Sequence, residues 1–323
     1  MENHNYLVIE EASKASYALG IMLKNLGKLD EAEISYRQAI TLNPNFNQAK
    51  YKLGTLLLSN NKNKEAIEQF EGINYENSNY LLLRCFFNLN MKQEFLNLLQ
   101  KFINENVVHP IIGSLVSRFN LKYQTSQINL FCSKPLEYVF KSNLYNLYDF
   151  KKIFVENTQN IINKNKAPQK SYDLLTNGYQ TDGNVFEIES ELTREIEKII
   201  RIEIEKYRIS FIDSEEGLIK SWPNAYRLYG WLICMKSGGE LRPHMHENGW
   251  LSGTVYINVP AKPKLNPESG NLVVCIEEKI KEQSVDVITG TMCLFPASLL
   301  HYTIPFKSTE NRIVLAFDVV PKL

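Results

Sequence analysis

The sequence predicts an α+β protein of more than one domain, α-helical repeats first and a β-rich half at the C-terminus. Three observations carry this. Six positions between Tyr17 and Tyr36 recur thirty-four residues later. Stretches such as Trp250 to Val259 and Asn311 to Val319 are rich in β-formers and read as strands. Between these regions, Glu191 to Arg208 places Leu192, Ile196, Ile199, Ile200 and Tyr207 on one helical stripe. At 323 residues with 44% apolar content, the chain can build two cores.

The first element in the chain is the repeat. Tyr17, Leu19, Gly20, Leu23, Ala32 and Tyr36 return as Tyr51, Leu53, Gly54, Leu57, Ala66 and Phe70. That period belongs to tetratricopeptide (TPR) repeats, pairs of antiparallel helices that stack. Gly20, Ala32 and Ala39 let paired helices approach, Tyr36 fills the gap between them, and Pro44 follows the second helix where it should stop. A third pair, near Asn79 to Asn90 and Lys92 to Asn104, keeps amphipathic spacing but loses the signature. Residues 1–105 are thus expected to form a TPR-like region, serving either as a packing and homodimer surface or as a groove for a peptide or protein partner.

Residues 106–170 read as a helical connector and linker. His109-Pro110 marks a break, with His109 an ordinary surface or turn residue, and Asn163 to Lys170 has the composition of an exposed loop. The helix over Glu191 to Arg208 is expected to pack on the outside of the β-rich half as support.

Composition excludes several classes. Lysine plus arginine equals aspartate plus glutamate, so nothing favours nucleic acid or an acidic membrane surface. No apolar run approaches the length of a membrane span, and the first residues lack the basic start and apolar core of a signal peptide. Cys85, Cys132, Cys234, Cys275 and Cys293 are odd in number and form no CxxC pair. They are expected to be reduced core residues of a cytoplasmic protein.

The chemistry is concentrated after residue 240. In a strand, residues i and i+2 share a face, so His244 and His246 present two imidazoles side by side, a metal-ligand spacing. Asn248-Gly249 comes next, a dipeptide favoured in hairpin turns, with Trp250 to Val259 as the return strand. His301 to Phe306 and Asn311 to Val319 read as a second hairpin around Lys307 to Glu310. That register puts His301 and Arg312 on one face, about 13 Å apart at strand rise. A metal at the histidine end and a guanidinium at the other could grip opposite ends of one dicarboxylate. Trp231 and Trp250 flank the expected mouth, and Asn177, Gln180 and Thr181 lie in a polar, glycine-rich stretch read as a loop.

The order HMH, LSGTVYINVP, ESGNLVV, ITGTMCLFPASLLHYTIPF and NRIVLAFDV resembles the 2-oxoglutarate and Fe(II)-dependent oxygenases of the prolyl-hydroxylase-like group, especially those with TPR repeats in front. The resemblance implies a double-stranded β-helix, or jelly-roll, over residues 171–323. It implies Fe(II), 2-oxoglutarate and O2 as cofactor and co-substrates, and hydroxylation of a peptide, protein or small molecule with release of succinate and CO2. His244 matches the family's first iron ligand, His301 its distal histidine and Arg312 the anchor for the far carboxylate of 2-oxoglutarate; Tyr256 matches a tyrosine that helps hold that carboxylate.

The departure is His246, which stands where most of the superfamily has a carboxylate. His246 can complete the metal shell, Glu247 can swing in, or two protein ligands can suffice. The missing carboxylate also keeps open a different class, a TPR interaction protein whose jelly-roll retains a structural or sensory metal site without turnover.

Overall fold

The structure, a computed structural model, describes residues 2–163, 168–170 and 173–322. Of the linker expected over Asn163 to Lys170, residues 164–167 lie outside the described residues, and Gln169–Lys170 form a short strand rather than loop. The chain divides into two compact units, Met1–Glu105 and Asn106–Leu323.

The first unit consists of three helix pairs: α1 (Glu2–Asn25) with α2 (Leu29–Leu42), α3 (Asn47–Ser59) with α4 (Asn63–Phe70), and α5 (Ser78–Asn88) with α6 (Lys92–Asn104). The repeated glycine and aromatic positions form one contact twice. A Cβ on Gly20 would sit 2.5 Å from the Tyr36 ring, and one on Gly54 would sit 2.6 Å from the Phe70 ring. Each aromatic ring therefore lies on bare backbone of the facing helix. Ala32, Ala39 and Ala66 are fully buried in the same interfaces. The turns repeat as well: Gly27, Asn61 and Asn90, with φ of 75°, 59° and 59°, come after α1, α3 and α5 in the left-handed conformation that ends helices.

The second unit opens with α7 (Pro110–Tyr123), whose start departs from the sequence expectation. His109 is its N-cap, and its Nδ1 accepts from the Ile111 backbone N–H at 3.2 Å. Burial pushes the imidazole down to about 4, which keeps that nitrogen free to accept. Proton uptake would remove the cap and set a cation against the positive end of the helix.

The residues after α7 supply core. Phe131, Leu144, Phe150 and Phe154 join the main apolar cluster, and strand β1 (Phe140–Asn143) pairs with a strand of the central sheet. The remaining helices are α8 (Asn157–Asn163), α9 (Val185–Ile188), α10 (Ser190–Ser210) and α11 (Gly217–Lys220). As its stripe requires, α10 buries Ile196, Ile199, Ile200, Ile204 and Tyr207.

The other strands are β2 (Gln169–Lys170), β3 (Leu175–Thr181), β4 (Tyr226–His244), β5 (Leu251–Asn258), β6 (Leu272–Glu277), β7 (Lys281–Val285), β8 (Thr291–Pro296), β9 (Leu300–Thr303) and β10 (Arg312–Pro321). They form one curled antiparallel sheet in the order β1-β8-β5-β10-β4-β9-β6-β7, with β3 on β4 and β2 on β3. This is the jelly-roll. Strand β4 belongs to both halves: it pairs with β10 as far as Met235 and with β9 from Leu241. The change of partner falls at Gly238-Gly239. Gly238 has φ 75°, and a Cβ on Gly239 would lie 2.7 Å from that of Met235.

Both hairpins expected from the sequence are absent. The strands flanking Asn248-Gly249, β4 and β5, are separated by β10, and β9 and β10 are separated by β4. Richness in β-formers identified the strands, but partner choice is set by which strand inserts between them. Asn177 to Thr181, expected as loop, belongs to β3, where Asn177 (φ 50°) falls at the register shift against β4.

Alternation sorts the sheet's two faces. Leu251, Val255, Leu315, Phe317 and Val319 pack on the α10 side. The opposite face, with Tyr256, Val274, Phe295, Val314 and Ala316, forms the interior between the two halves.

Both the glycine contact and the histidine cap can be tested by unfolding. Gly54→Ala forces a methyl into the Phe70 ring and should lower stability by about 1–3 kcal/mol in urea, with partial recovery in Gly54→Ala/Phe70→Leu. His109→Asn keeps an N-cap acceptor without the proton linkage. The unfolded chain takes up a proton near pH 6.5 and the folded chain only near 4, so this part of stability is present above 6.5 and lost as pH falls towards 4. Between pH 7 and 4.5 the parent should lose about 2–3 kcal/mol more than the variant.

Candidate metal centre

Two strand ends build the site. His244, the last residue of β4, lies directly opposite His301 on β9, and their ring centroids are 4.3 Å apart. His246 lies two residues beyond β4, its ring 5.2 Å from that of His244 and 4.7 Å from that of His301. One ligand atom from each ring lies within 4.8 Å of the others, and no carboxylate joins the group among the described residues. Glu247 is thus outside the cluster. The turn that holds His246 closes with Gly249 N–H donating to the His246 carbonyl at 3.3 Å.

The hydrogen bonds decide which nitrogens are free. Nδ1 of His244 lies 2.8 Å from the Arg242 carbonyl, an oxygen that only accepts, so Nδ1 carries the proton and Nε2 the lone pair. Nδ1 of His246 lies 2.8 Å from Oδ1 of Asp318, which accepts in the same way. The two Nε2 atoms are 3.3 Å apart. Ligands about 2.1 Å from a single ion, at angles between right-angled and tetrahedral, lie roughly 3.0–3.4 Å from each other. The spacing fits two nitrogens on one metal.

Burial keeps His244 neutral, at about 4, with His246 adding to the effect. His301 is lowered further by burial and by both neighbours, the Leu299 backbone opposing weakly. Its Nδ1 is buried without a well-formed hydrogen bond. Three closely set imidazoles are a donor set suited to a divalent cation.

Arg312 occupies the other end of the interior. It is 3% exposed, and among the described residues no carboxylate lies within ion-pair distance. Its Nε donates to the Gly270 carbonyl at 3.2 Å, Nη1 lies 3.8 Å from the Met235 sulfur, and the guanidinium sits 5.1 Å from the Tyr256 ring centre. Burial opposes its charge and the Tyr256 hydroxyl supports it. Tyr256 is itself 1% exposed, and burial raises its hydroxyl, so it stays protonated. Gly270, in the turn before β6, lies four residues before Val274, the strand partner of His301.

Of the remaining expected residues, Trp231 is half-buried with its ring 5.0 Å from that of His246. Trp250 is structural: its Nε1 donates to the Leu218 carbonyl at 2.9 Å, and its ring packs edge-on against Phe131. Thr181 is buried and accepts from Leu232 N–H. Sequence reasoning missed Asp318 and Ser252. Oγ of Ser252 donates to Oδ1 of Asp318 at 2.8 Å, and the two residues are paired across β5 and β10. The available signal was an aspartate inside the apolar run of β10.

Residues 229–318 match the family model described as "Putative 2OG-Fe(II) oxygenase". Residues 8–70 match "Surface lipoprotein assembly modifier, N-terminal TPR repeats". No curated protein matches the chain. Among solved structures, a prolyl-4-hydroxylase from Pseudomonas putida is 11% identical over 57% of this chain and 93% of its own, with TM-score 0.40. HygX from Streptomyces hygroscopicus, with nickel and 2-oxoglutarate bound, is 11% identical over 57% and 83%, with TM-score 0.40. A MamA fragment from Desulfovibrio magneticus RS-1 is 21% identical over 35% and 66%, with TM-score 0.31. The chain therefore joins a TPR-like helical region to a C-terminal jelly-roll that matches a 2OG-Fe(II) oxygenase family model over residues 229–318 and brings three histidines together.

Proposed function

We propose that this domain is an Fe(II)- and 2-oxoglutarate-dependent dioxygenase in which His244, His246 and His301 hold the metal and Arg312 anchors the co-substrate. The observation that carries the reading is the buried guanidinium. A cation out of water without a counter-charge costs several kcal/mol, and among the described residues Arg312 meets a carbonyl, a thioether and a phenol. An anion entering from the histidine end would relieve that cost. A jelly-roll keeping its metal for structure alone leaves Arg312 unexplained.

When bound, Fe(II) with 2-oxoglutarate and O2 supplies oxidative decarboxylation to succinate and CO2 coupled to C–H hydroxylation. The chain's own residues select and orient. The Arg312 fork accepts a carboxylate through two parallel hydrogen bonds, and Tyr256 donates beside it. Phe295, Val274 and Val314 line the interior between the two ends and exclude water. Trp231 sits against His246 on the open side, where a substrate would approach. With His244, His246 and His301 as its protein ligands, a bound Fe(II) would supply the open positions that the keto-acid and oxygen need.

The substrate is a peptide, protein or small molecule. The repeats favour a protein partner or a second copy of the chain by analogy of fold. Among the described residues, no helix is long and apolar enough to cross a membrane, and all five cysteines are free and buried. Both fit the proposed cytoplasmic setting.

Anaerobic protein loaded with Fe(II) should develop a visible charge-transfer band on titration with 2-oxoglutarate, and admitting oxygen should release succinate. Metal binding with neither band nor succinate would instead support the interaction-protein reading. Arg312→Ala should weaken 2-oxoglutarate by about 30-fold or more, the loss expected of a buried charged contact, while metal affinity is kept. His301→Ala should lose both; unchanged 2-oxoglutarate affinity in Arg312→Ala would remove the anchor assignment.

A further inference from the structure

Asp318 is the second charged group inside the jelly-roll, and the reaction outlined above gives it no direct part. Its carboxylate is 6% exposed. Among the described residues its one ion-pair partner is His246, at 2.8 Å; no lysine or arginine offsets it. Ser252 donates to the same oxygen, and Gly249 leaves space for the group, since a Cβ there would lie 3.0 Å from both Cγ and Oδ1 of Asp318. One carboxylate oxygen, Oδ1, thus takes both hydrogen bonds, from Nδ1 of His246 and from Oγ of Ser252.

We infer that Asp318 is a positioning residue, which fixes His246 as its Nδ1–H tautomer, points Nε2 at the metal and restores the negative charge that this centre lacks among its ligands. The inference rests on His246 being a ligand. A carboxylate bonded to the far nitrogen of a ligating histidine fixes ring orientation and raises ligand basicity. Here it does more. Three neutral imidazoles and a divalent ion leave the site one unit more positive than two imidazoles and a carboxylate, and Asp318 cancels that unit from one ring away. The aspartate absent beside His244 in sequence is supplied by β10 in space.

Three comparisons test this on the full chain. Metal affinity is measured by Co(II) and Fe(II) titration for parent, His246→Gln and Asp318→Asn; the Co(II) absorption spectrum and the Fe(III)/Fe(II) potential are recorded alongside. Asp318→Asn keeps the size of the side chain but removes the charge. It should weaken metal binding about 10–100-fold, alter the Co(II) spectrum and raise the potential, because the reduced ion gains relative to the oxidised one. A purely structural aspartate would leave the spectrum and potential of the metal-loaded variant unchanged.

If His246→Gln binds metal as the parent does, the ligand assignment fails and the inference falls with it. If His246→Gln is weakened while Asp318→Asn matches the parent in affinity, spectrum and potential, the role of Asp318 alone is overturned. Should Asp318→Asn not fold, long-range 1H–15N spectra of Zn(II)-loaded parent decide, with the His246 signals assigned by their loss in His246→Gln. Nδ1–H with metal-bound Nε2 supports the inference, and the opposite tautomer overturns it.

Discussion

The double pairing of β4 is the constraint on which the rest of the second unit depends. Up to Met235 the strand lies against β10; beyond Gly238-Gly239 it lies against β9. The first pairing sets Arg312 opposite Met235, and the second sets His244 opposite His301. Both ends of the interior are thus indexed to one continuous strand, separated by a kink that only glycine accommodates. A side chain at Gly238 would be forced into the left-handed region, and one at Gly239 would meet Met235.

Strand β10 carries the electrostatics. Arg312, Val314, Ala316 and Asp318 alternate onto its inner face, so the sheet buries a cation near one end of the interior and an anion at the other. Six residues of strand, about 20 Å, separate them, too far for direct pairing. Each therefore needs a local answer. Asp318 finds a histidine N–H and a serine hydroxyl; Arg312 finds neutral acceptors and keeps donors that a carboxylate would satisfy.

The first unit is held by repetition of one contact. Its first two helix pairs each lay an aromatic ring on a glycine of the facing helix, and a left-handed Gly or Asn turns the chain after the first helix of every pair. The third pair, which lacks the ring-on-glycine signature, fills its interface with Phe87, Phe95, Leu99 and Phe102 instead.

The sequence by itself determined the repeat period, several strands, the long helix α10 and the three clustered histidines, because these depend on local pattern. Period thirty-four located the helix pairs, and richness in β-formers located β5, β9 and β10. The stripe on α10 was legible for the same reason. The i, i+2 spacing of His244 and His246 placed two imidazoles together before any fold was considered. What only the tertiary structure decided were relations between distant segments. Both expected hairpins were wrong because a strand's side-chain pattern records which face is buried, not which strand lies beside it. Residues 106–163 pack into the core through scattered aromatics with no period to read. Asp318 is seventy-two residues from His246 in sequence, and its partner became evident only when β10 entered the sheet beside β5, setting the carboxylate against Nδ1 of the ring.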